Sequence, residues 1–97
     1  IVYAYLPLTK VSEMEPVPAV LTPEEAKYII GAQCNLWTER VWSHDVLQFQ
    51  LLPRLAAMCE VQWMQPSAKN FEQFLQRLEP MKTLYRQQGY KYCTRWE

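Results

Sequence analysis

Ten residues, from position 30 to 39, constrain this chain more than any other stretch. They read Ile30-Gly31-Ala32-Gln33-Cys34-Asn35-Leu36-Trp37-Thr38-Glu39. Ala32, Cys34 and Leu36 are small or apolar and share one parity; Gln33, Asn35, Trp37 and Glu39 share the other. Successive side chains of a β-strand point to opposite faces. The stretch is therefore read as a strand with an apolar face and a polar-plus-aromatic face that ends in a carboxylate. Two amides, an indole and a carboxylate in file suit the lining of a pocket. The plainer reading is an edge strand with a chance polar face. A single strand cannot make a sheet, because its backbone donors and acceptors need partners. No other convincing strand follows in the chain, so the stretch expects neighbours that the chain does not contain.

The remainder is read as loop and helix. Residues 1–21 carry Pro7, Pro16 and Pro18 without a sustained period, which predicts a connecting loop; residues 1–5 could extend as a short strand. Thr22-Pro23-Glu24-Glu25 is a helix start: Thr22 caps, Pro23 takes the first helical position and Glu25 completes a capping box. Gly31 then frees the backbone to leave this short helix. Ser43 caps a second helix with Asp45 in its first turn. Its apolar stripe is Val46, Phe49, Leu52, Leu55, Ala56, Cys59 and Trp63, spanning about residues 45–63 with a kink expected at Pro53. Pro66 stops it. A third helix is expected over residues 68–88, capped by Ser67, with a stripe of Phe71, Phe74, Leu75, Leu78, Met81, Leu84 and Tyr85. Pro80 should bend it and Gly89 should end it. The tail from Tyr90 is expected to fold back through Tyr90, Tyr92 or Trp96.

Charge and cysteine usage exclude several function classes. Ten basic and ten acidic residues cancel, so no basic patch points to nucleic acid. No apolar run approaches the length of a membrane span. No signal peptide is visible in the first eight residues. Cys34, Cys59 and Cys93 are odd in number and form no CxxC; buried thiols are expected, and no metal or other cofactor. Four Trp and six Tyr are many for 97 residues. Most should fill the core, although indole faces also make platforms for sugar rings.

Residues 31–39 closely resemble the G-x-Q-x-N-x-W-x-E stretch of the family 20 glycoside hydrolases, the β-N-acetylhexosaminidases. Lys10-Val11 and Glu15-Pro16-Val17-Pro18 resemble the segment before that stretch. Leu52-Pro53-Arg54-Leu55-Ala56-Ala57 and Glu60-Val61-Gln62-Trp63 resemble the segment after it. Phe71-Glu72-Gln73-Phe74-Leu75-Gln76-Arg77-Leu78 and Gly89-Tyr90-Lys91-Tyr92 resemble the family's closing helix and tail. The resemblance implies an α/β parent in which this chain is the C-terminal part of a (β/α)8 TIM-barrel catalytic domain. Residues 1–21 would be a connecting loop, 22–39 the short helix and last barrel strand, and 43–97 the closing helices and tail. As an isolated fragment the chain is expected to be mainly α with one or two short strands. An orphan strand would also give it a route to self-association. The details around Cys59 to Trp63 and Gly89-Tyr90 resemble bacterial members, which are often exported.

Active-site residues of (β/α)8 barrels sit at the C-terminal ends of the strands. The resemblance implies that Trp37 walls the pocket for a terminal N-acetylhexosamine and that Glu39 accepts hydrogen bonds from sugar hydroxyls. The partner implied is thus a glycan ending in N-acetylhexosamine. The family's reaction is substrate-assisted: the 2-acetamido oxygen attacks the anomeric carbon while an adjacent Asp-Glu pair supplies acid and orientation. This chain has one aspartate, Asp45, followed by Val46, and no Asp-Glu pair. Catalytic residues are therefore expected upstream, and the chain alone is expected to be inactive. His44-Asp45 is read as a helix start rather than a dyad, and Glu60 as a partner for a base such as Arg54. Two competing readings are a free-standing helical interaction module and a carbohydrate-binding module, the latter at odds with so much helix.

Overall fold

The computed structural model describes residues 6–94. Among these described residues five helices follow one another: α1 (Leu8–Ser12), α2 (Pro23–Ala26), α3 (His44–Leu51), α4 (Arg54–Trp63) and α5 (Phe71–Gln87), with a 3-10 turn at Pro66–Ala68 between the last two. The mainly helical expectation holds. The expected strand does not form: among the described residues there is no strand, and residues 30–38 carry neither helix nor ladder. The physical reason is the one that the stretch itself announced. A strand is stabilised by hydrogen bonds to a neighbour, and none is present among the described residues. The short strand considered for residues 1–5 lies outside the described residues.

The core is built where α1, α4 and α5 meet. Leu8 and Val11 of α1, Ala57 and Met58 of α4, and Phe74 and Leu78 of α5 form one buried cluster, with Ala32, Ala56, Phe71 and Leu75 against its edge. Helix α1 corrects the loop reading of residues 1–21. One turn is too short to show a period in sequence, but Leu8 and Val11 lie three apart and so share a face. Both are buried. Pro7 precedes them and needs no N–H partner, while its carbonyl accepts from Lys10 and Val11. Lys69 ties the chain after α1 to the 3-10 turn by donating to the Met14 carbonyl at 2.7 Å and pairing with Glu15.

Pro53 does more than kink the second helix. It breaks it in two. Leu52, the residue before proline, is extended (φ −102°, ψ 136°), as steric crowding by the ring favours. The Leu52–Pro53 peptide is cis. The break also resets the helical phase. The buried positions of α4 are Ala57, Met58 and Val61, whereas Cys59 and Trp63, assigned to the apolar stripe, are exposed. A stripe extrapolated across Pro53 carries the phase of α3 into a helix that starts anew. Arg54 joins the pieces: its Nη1 donates to the Gln50 carbonyl at 3.0 Å, one of the last carbonyls of α3, and its Nε donates to the Leu6 carbonyl at 2.8 Å.

Helix α5 buries Phe74, Leu78 and Tyr85 of the predicted stripe but leaves Met81 and Leu84, also assigned to it, exposed, and it runs through Pro80 without interruption. Its cap is Asn70, whose Oδ1 accepts from the Gln73 N–H at 3.0 Å, and not Ser67, which falls in the 3-10 turn. Gly89 ends it with φ +74°. The Gly89 N–H donates to the Arg86 carbonyl and the Tyr90 N–H to the Tyr85 carbonyl, at 3.1 and 2.8 Å. This is a Schellman closure, and the Tyr85 and Tyr90 rings meet across it in a tilted pair with centroids 6.4 Å apart. The tail then returns as expected. Tyr92 lies 5.4 Å from Tyr85, and the Cys93 N–H donates to the Leu52 carbonyl at 2.9 Å. Had α3 continued, that carbonyl would have accepted from Ala56. The helix break hands it to the tail instead. Trp96 lies outside the described residues.

Candidate functional site

The stretch at residues 30–39 bridges α2 and α3, and capping chemistry fixes both ends of the bridge. On the near side the Thr22 hydroxyl accepts from the Glu25 N–H at 3.2 Å and the Glu25 carboxylate accepts from the Thr22 N–H at 3.0 Å. This is the predicted capping box, with Pro23 at the first helical position. The two bonds to Thr22, the backbone one first, hold the Glu25 carboxyl below its ordinary value. On the far side a turn over residues 38–41 closes with the Val41 N–H on the Thr38 carbonyl at 3.1 Å. Ser43 then caps α3 by accepting from the Val46 N–H. His44 and Asp45 occupy the first turn of α3, exposed, in keeping with a helix start.

Glu39 sits inside that turn and is exposed. Trp37, just before it, is 73% exposed. Neither side chain is used by the chain's own core. The parity of the stretch survives in its burial even without a ladder: Ala32 and Leu36 are half-buried, while Gln33, Asn35, Trp37 and Glu39 face out. Cys34 breaks the pattern and is exposed, as is Cys59. The expectation of buried thiols holds for Cys93 alone, and none of the three is in a disulfide.

A cleft of about 1340 Å³ opens beside the stretch. Gln33, Cys34, Asn35 and Leu36 form one wall; Val11, Met14, Phe49, Leu55 and Met58 form the apolar floor, with Arg40 and Arg54 at its polar margin. Trp37 and Glu39 do not line it. The structure thus separates the four-residue polar file in two: the amides border the cleft, and the indole and carboxylate stand clear of it. Arg40 is a cleft residue that the sequence reading did not single out. Its place directly after Glu39, at a turn, is the only signal that could have marked it.

Several ion pairs and shifted groups lie away from this region. Glu60 pairs with Arg77 of α5 at 2.7 Å and not with Arg54, whose guanidinium is turned to backbone carbonyls. That bond raises the Arg77 pKa. Lys82 beside Glu79 lowers the Glu79 carboxyl. Burial, and then the nearby Cys59, push the Tyr85 hydroxyl up. None of these groups lines the cleft. Among the described residues no three His, Cys, Asp or Glu side chains gather as metal ligands, and no helix is long and apolar enough to cross a membrane.

The comparisons with known proteins bear on the same stretch. The model of the glycosyl hydrolase family 20 catalytic domain matches residues 2–66. That span includes the 30–39 stretch and α4, and it ends before α5 and the tail. A β-hexosaminidase of Porphyromonas gingivalis is 36% identical over 75 residues, 77% of this chain and 10% of that protein. A β-N-acetylhexosaminidase of Cellulomonas fimi is 30% identical over 76 residues, 77% of this chain and 15% of that protein. A β-hexosaminidase of Vibrio furnissii is 38% identical over 56 residues, 58% of this chain and 8% of that protein. The chain therefore spans only about a tenth of the length of these relatives. With the family model matching well over half of its residues, the chain belongs to glycosyl hydrolase family 20 and carries part of that family's catalytic domain.

Proposed function

We propose that the chain is the C-terminal segment of the catalytic domain of an exo-acting β-N-acetylhexosaminidase. In that setting residues 30–39 form the last strand of a TIM barrel, and Trp37 and Glu39 contact the terminal N-acetylhexosamine of a glycan. One observation carries the reading: within the family-matched span, the indole and carboxylate at the end of the alternating stretch are exposed and left unused by this chain's own core. Family membership favours it over a free-standing interaction module.

The two side chains do distinct jobs. The Trp37 ring offers a flat apolar wall to sugar C–H groups and to the 2-acetamido arm. The Glu39 carboxylate accepts hydroxyl protons, and charge-assisted bonds of this kind are the stronger ones. The reaction is substrate-assisted and retaining: the acetamido oxygen attacks the anomeric carbon as the leaving oxygen takes a proton from an acid. That acid is not among these 97 residues, which hold no Asp-Glu pair. The chain by itself is accordingly inactive on an aryl N-acetyl-β-glucosaminide.

The test is steady-state kinetics of the full-length enzyme with Glu39→Gln and Trp37→Ala, with thermal melts alongside. Glu39→Gln should weaken sugar binding by about 1–2 kcal/mol, and kcat should fall with it if the bonds tighten in the transition state. Trp37→Ala leaves the nucleophilic acetamido oxygen misaligned and should lower kcat more than it raises KM. Near wild-type kcat/KM in both folded variants would remove these residues from the site.

A further inference from the structure

The tail after α5 lies beyond the span that the family model matches, residues 2–66, yet it grips a helix inside that span. Two tail amides make the grip. The Lys91 N–H donates to Oε1 of Gln48 at 2.9 Å, and the Cys93 N–H donates to the Leu52 carbonyl at 2.9 Å. Gln48 and Leu52 are one helical turn apart and so lie on one side of α3. The tail lays alternate amides along that side. Gly89, with φ +74°, turns the tail back, and Cys93 is 1% exposed where it docks. Gln48 is half-buried, and it is the acceptor that a side chain supplies. Hydrogen bonds then connect this grip to the turn at Glu39. The Leu52 N–H donates to the Gln48 carbonyl at 2.8 Å and the Leu47 N–H to the Ser43 carbonyl at 3.1 Å. The Ser43 hydroxyl accepts from Val46, and two residues earlier the Val41 N–H closes the turn on Thr38 around Glu39.

We propose that Gln48 is a positioning residue of the hydrolase site, taking Glu39 as the proposed sugar contact. By holding the tail it fixes the tilt of α3, and through α3 and the turn it sets where the Glu39 carboxylate stands. The device is a lever. Its anchored end is the last turn of α3, held by Lys91 and Cys93 and by Arg54, which donates to the Gln50 carbonyl at 3.0 Å. Its free end is the turn ahead of Ser43, so a small rotation about the anchor displaces Glu39. Hydrogen bonds weaken steeply with misalignment. A misplacement of about 1 Å caused far from the chemistry can cost about 100-fold in rate. Stability is affected much less. Lys91 is exposed, so its N–H turns to water when the Gln48 acceptor is removed. Loss of Gln48 thus acts on the site more than on the fold.

The experiment is steady-state kinetics of the full-length enzyme on an aryl N-acetyl-β-glucosaminide, with thermal melts alongside. Gln48→Met keeps the length of the side chain and removes its strong acceptor, whereas Gln48→Glu keeps an acceptor. Gln48→Met should raise KM about threefold to tenfold, with kcat changed less and Tm close to that of the wild type. Gln48→Glu should behave as the wild type. The double variant Glu39→Gln with Gln48→Met should be no worse in kcat/KM than Glu39→Gln alone, because nothing is left for Gln48 to position. Lys91→Pro removes the donor and should repeat this pattern, which keeps the test open if Gln48→Met folds poorly. A merely structural role would lower Tm and multiply the Glu39→Gln defect. With Glu39→Gln damaging, three results would each overturn the proposal and leave the sugar contact standing: a wild-type KM in Gln48→Met, a Gln48→Glu enzyme equally impaired, or multiplying defects in the double variant. A silent Glu39→Gln would instead remove Glu39 from the site, and Gln48 with it.

Discussion

Replacing each of the two glycines by alanine separates backbone strain from packing with unusual clarity. A Cβ built on Gly89 meets nothing within 4 Å, and neither does one on Gly31. Sterics against the rest of the protein are thus equal, and nil, at both sites. The difference lies in the backbone: Gly89 has φ +74°, and Gly31 does not have a positive φ. An L-residue in the left-handed region costs about 1–2 kcal/mol. Alanine also narrows the unfolded ensemble, which stabilises by about 0.4–1 kcal/mol at either position. Gly89→Ala should therefore be destabilising by about 1 kcal/mol net, and Gly31→Ala stabilising by a few tenths to about 1 kcal/mol. For a chain of this length a change of 1 kcal/mol moves Tm by about 4–8 °C. Thermal melts followed by far-ultraviolet circular dichroism would read both, so the two variants should melt on opposite sides of the wild type. Because Gly89 also sets the return of the tail, Gly89→Ala should expose the Cys93 thiol to reagent below the melt. Equal melting temperatures for the two variants would refute the assignment of a strained closure at Gly89.

Three further outcomes are expected. Leu78 is 1% exposed in the middle of the α1–α4–α5 cluster, so Leu78→Ala should cost about 2–5 kcal/mol, against no more than about 0.5 kcal/mol for the exposed Leu84→Ala on the same helix; urea titration distinguishes them. In native buffer a thiol reagent should modify Cys34 and Cys59 at once and Cys93 only on opening of the structure, and a third fast thiol would show that the tail is not docked. The two bonds to Thr22 hold the Glu25 carboxyl below its ordinary value. Its capping bonds therefore stabilise α2 above the unfolded-state pKa and are lost as pH falls through the lower folded value. The Thr22 amide proton should titrate with a midpoint below that of an ordinary glutamate, and Glu25→Gln should abolish that titration.

Local chemistry was legible because it is carried by neighbours in the chain. Thr22 with Glu25, Ser43 with Val46, Gly89 with Arg86 and Tyr90 with Tyr85 are contacts within a few residues, so spacing alone determines them. The apolar face of α5 was legible for the same reason, since one unbroken helix keeps one phase. The motif at residues 31–39 likewise placed the chain in its family from sequence, and its inward parity at Ala32 and Leu36 persists in the fold. What tertiary structure alone decided were the matters that depend on distant partners. Helix α1 exists because Leu8 and Val11 find α4 and α5, a contact that no five-residue window contains. The phase of α4 was set by how far the break at Leu52 and Pro53 turned the chain. Glu60 chose Arg77 over Arg54 because α5 crosses beside it while Arg54 is occupied by the carbonyls of Leu6 and Gln50. The strand failed on the same principle. Alternation specifies which face a strand would bury, but the ladder itself needs a second backbone, and residues 30–37 find none among the described residues.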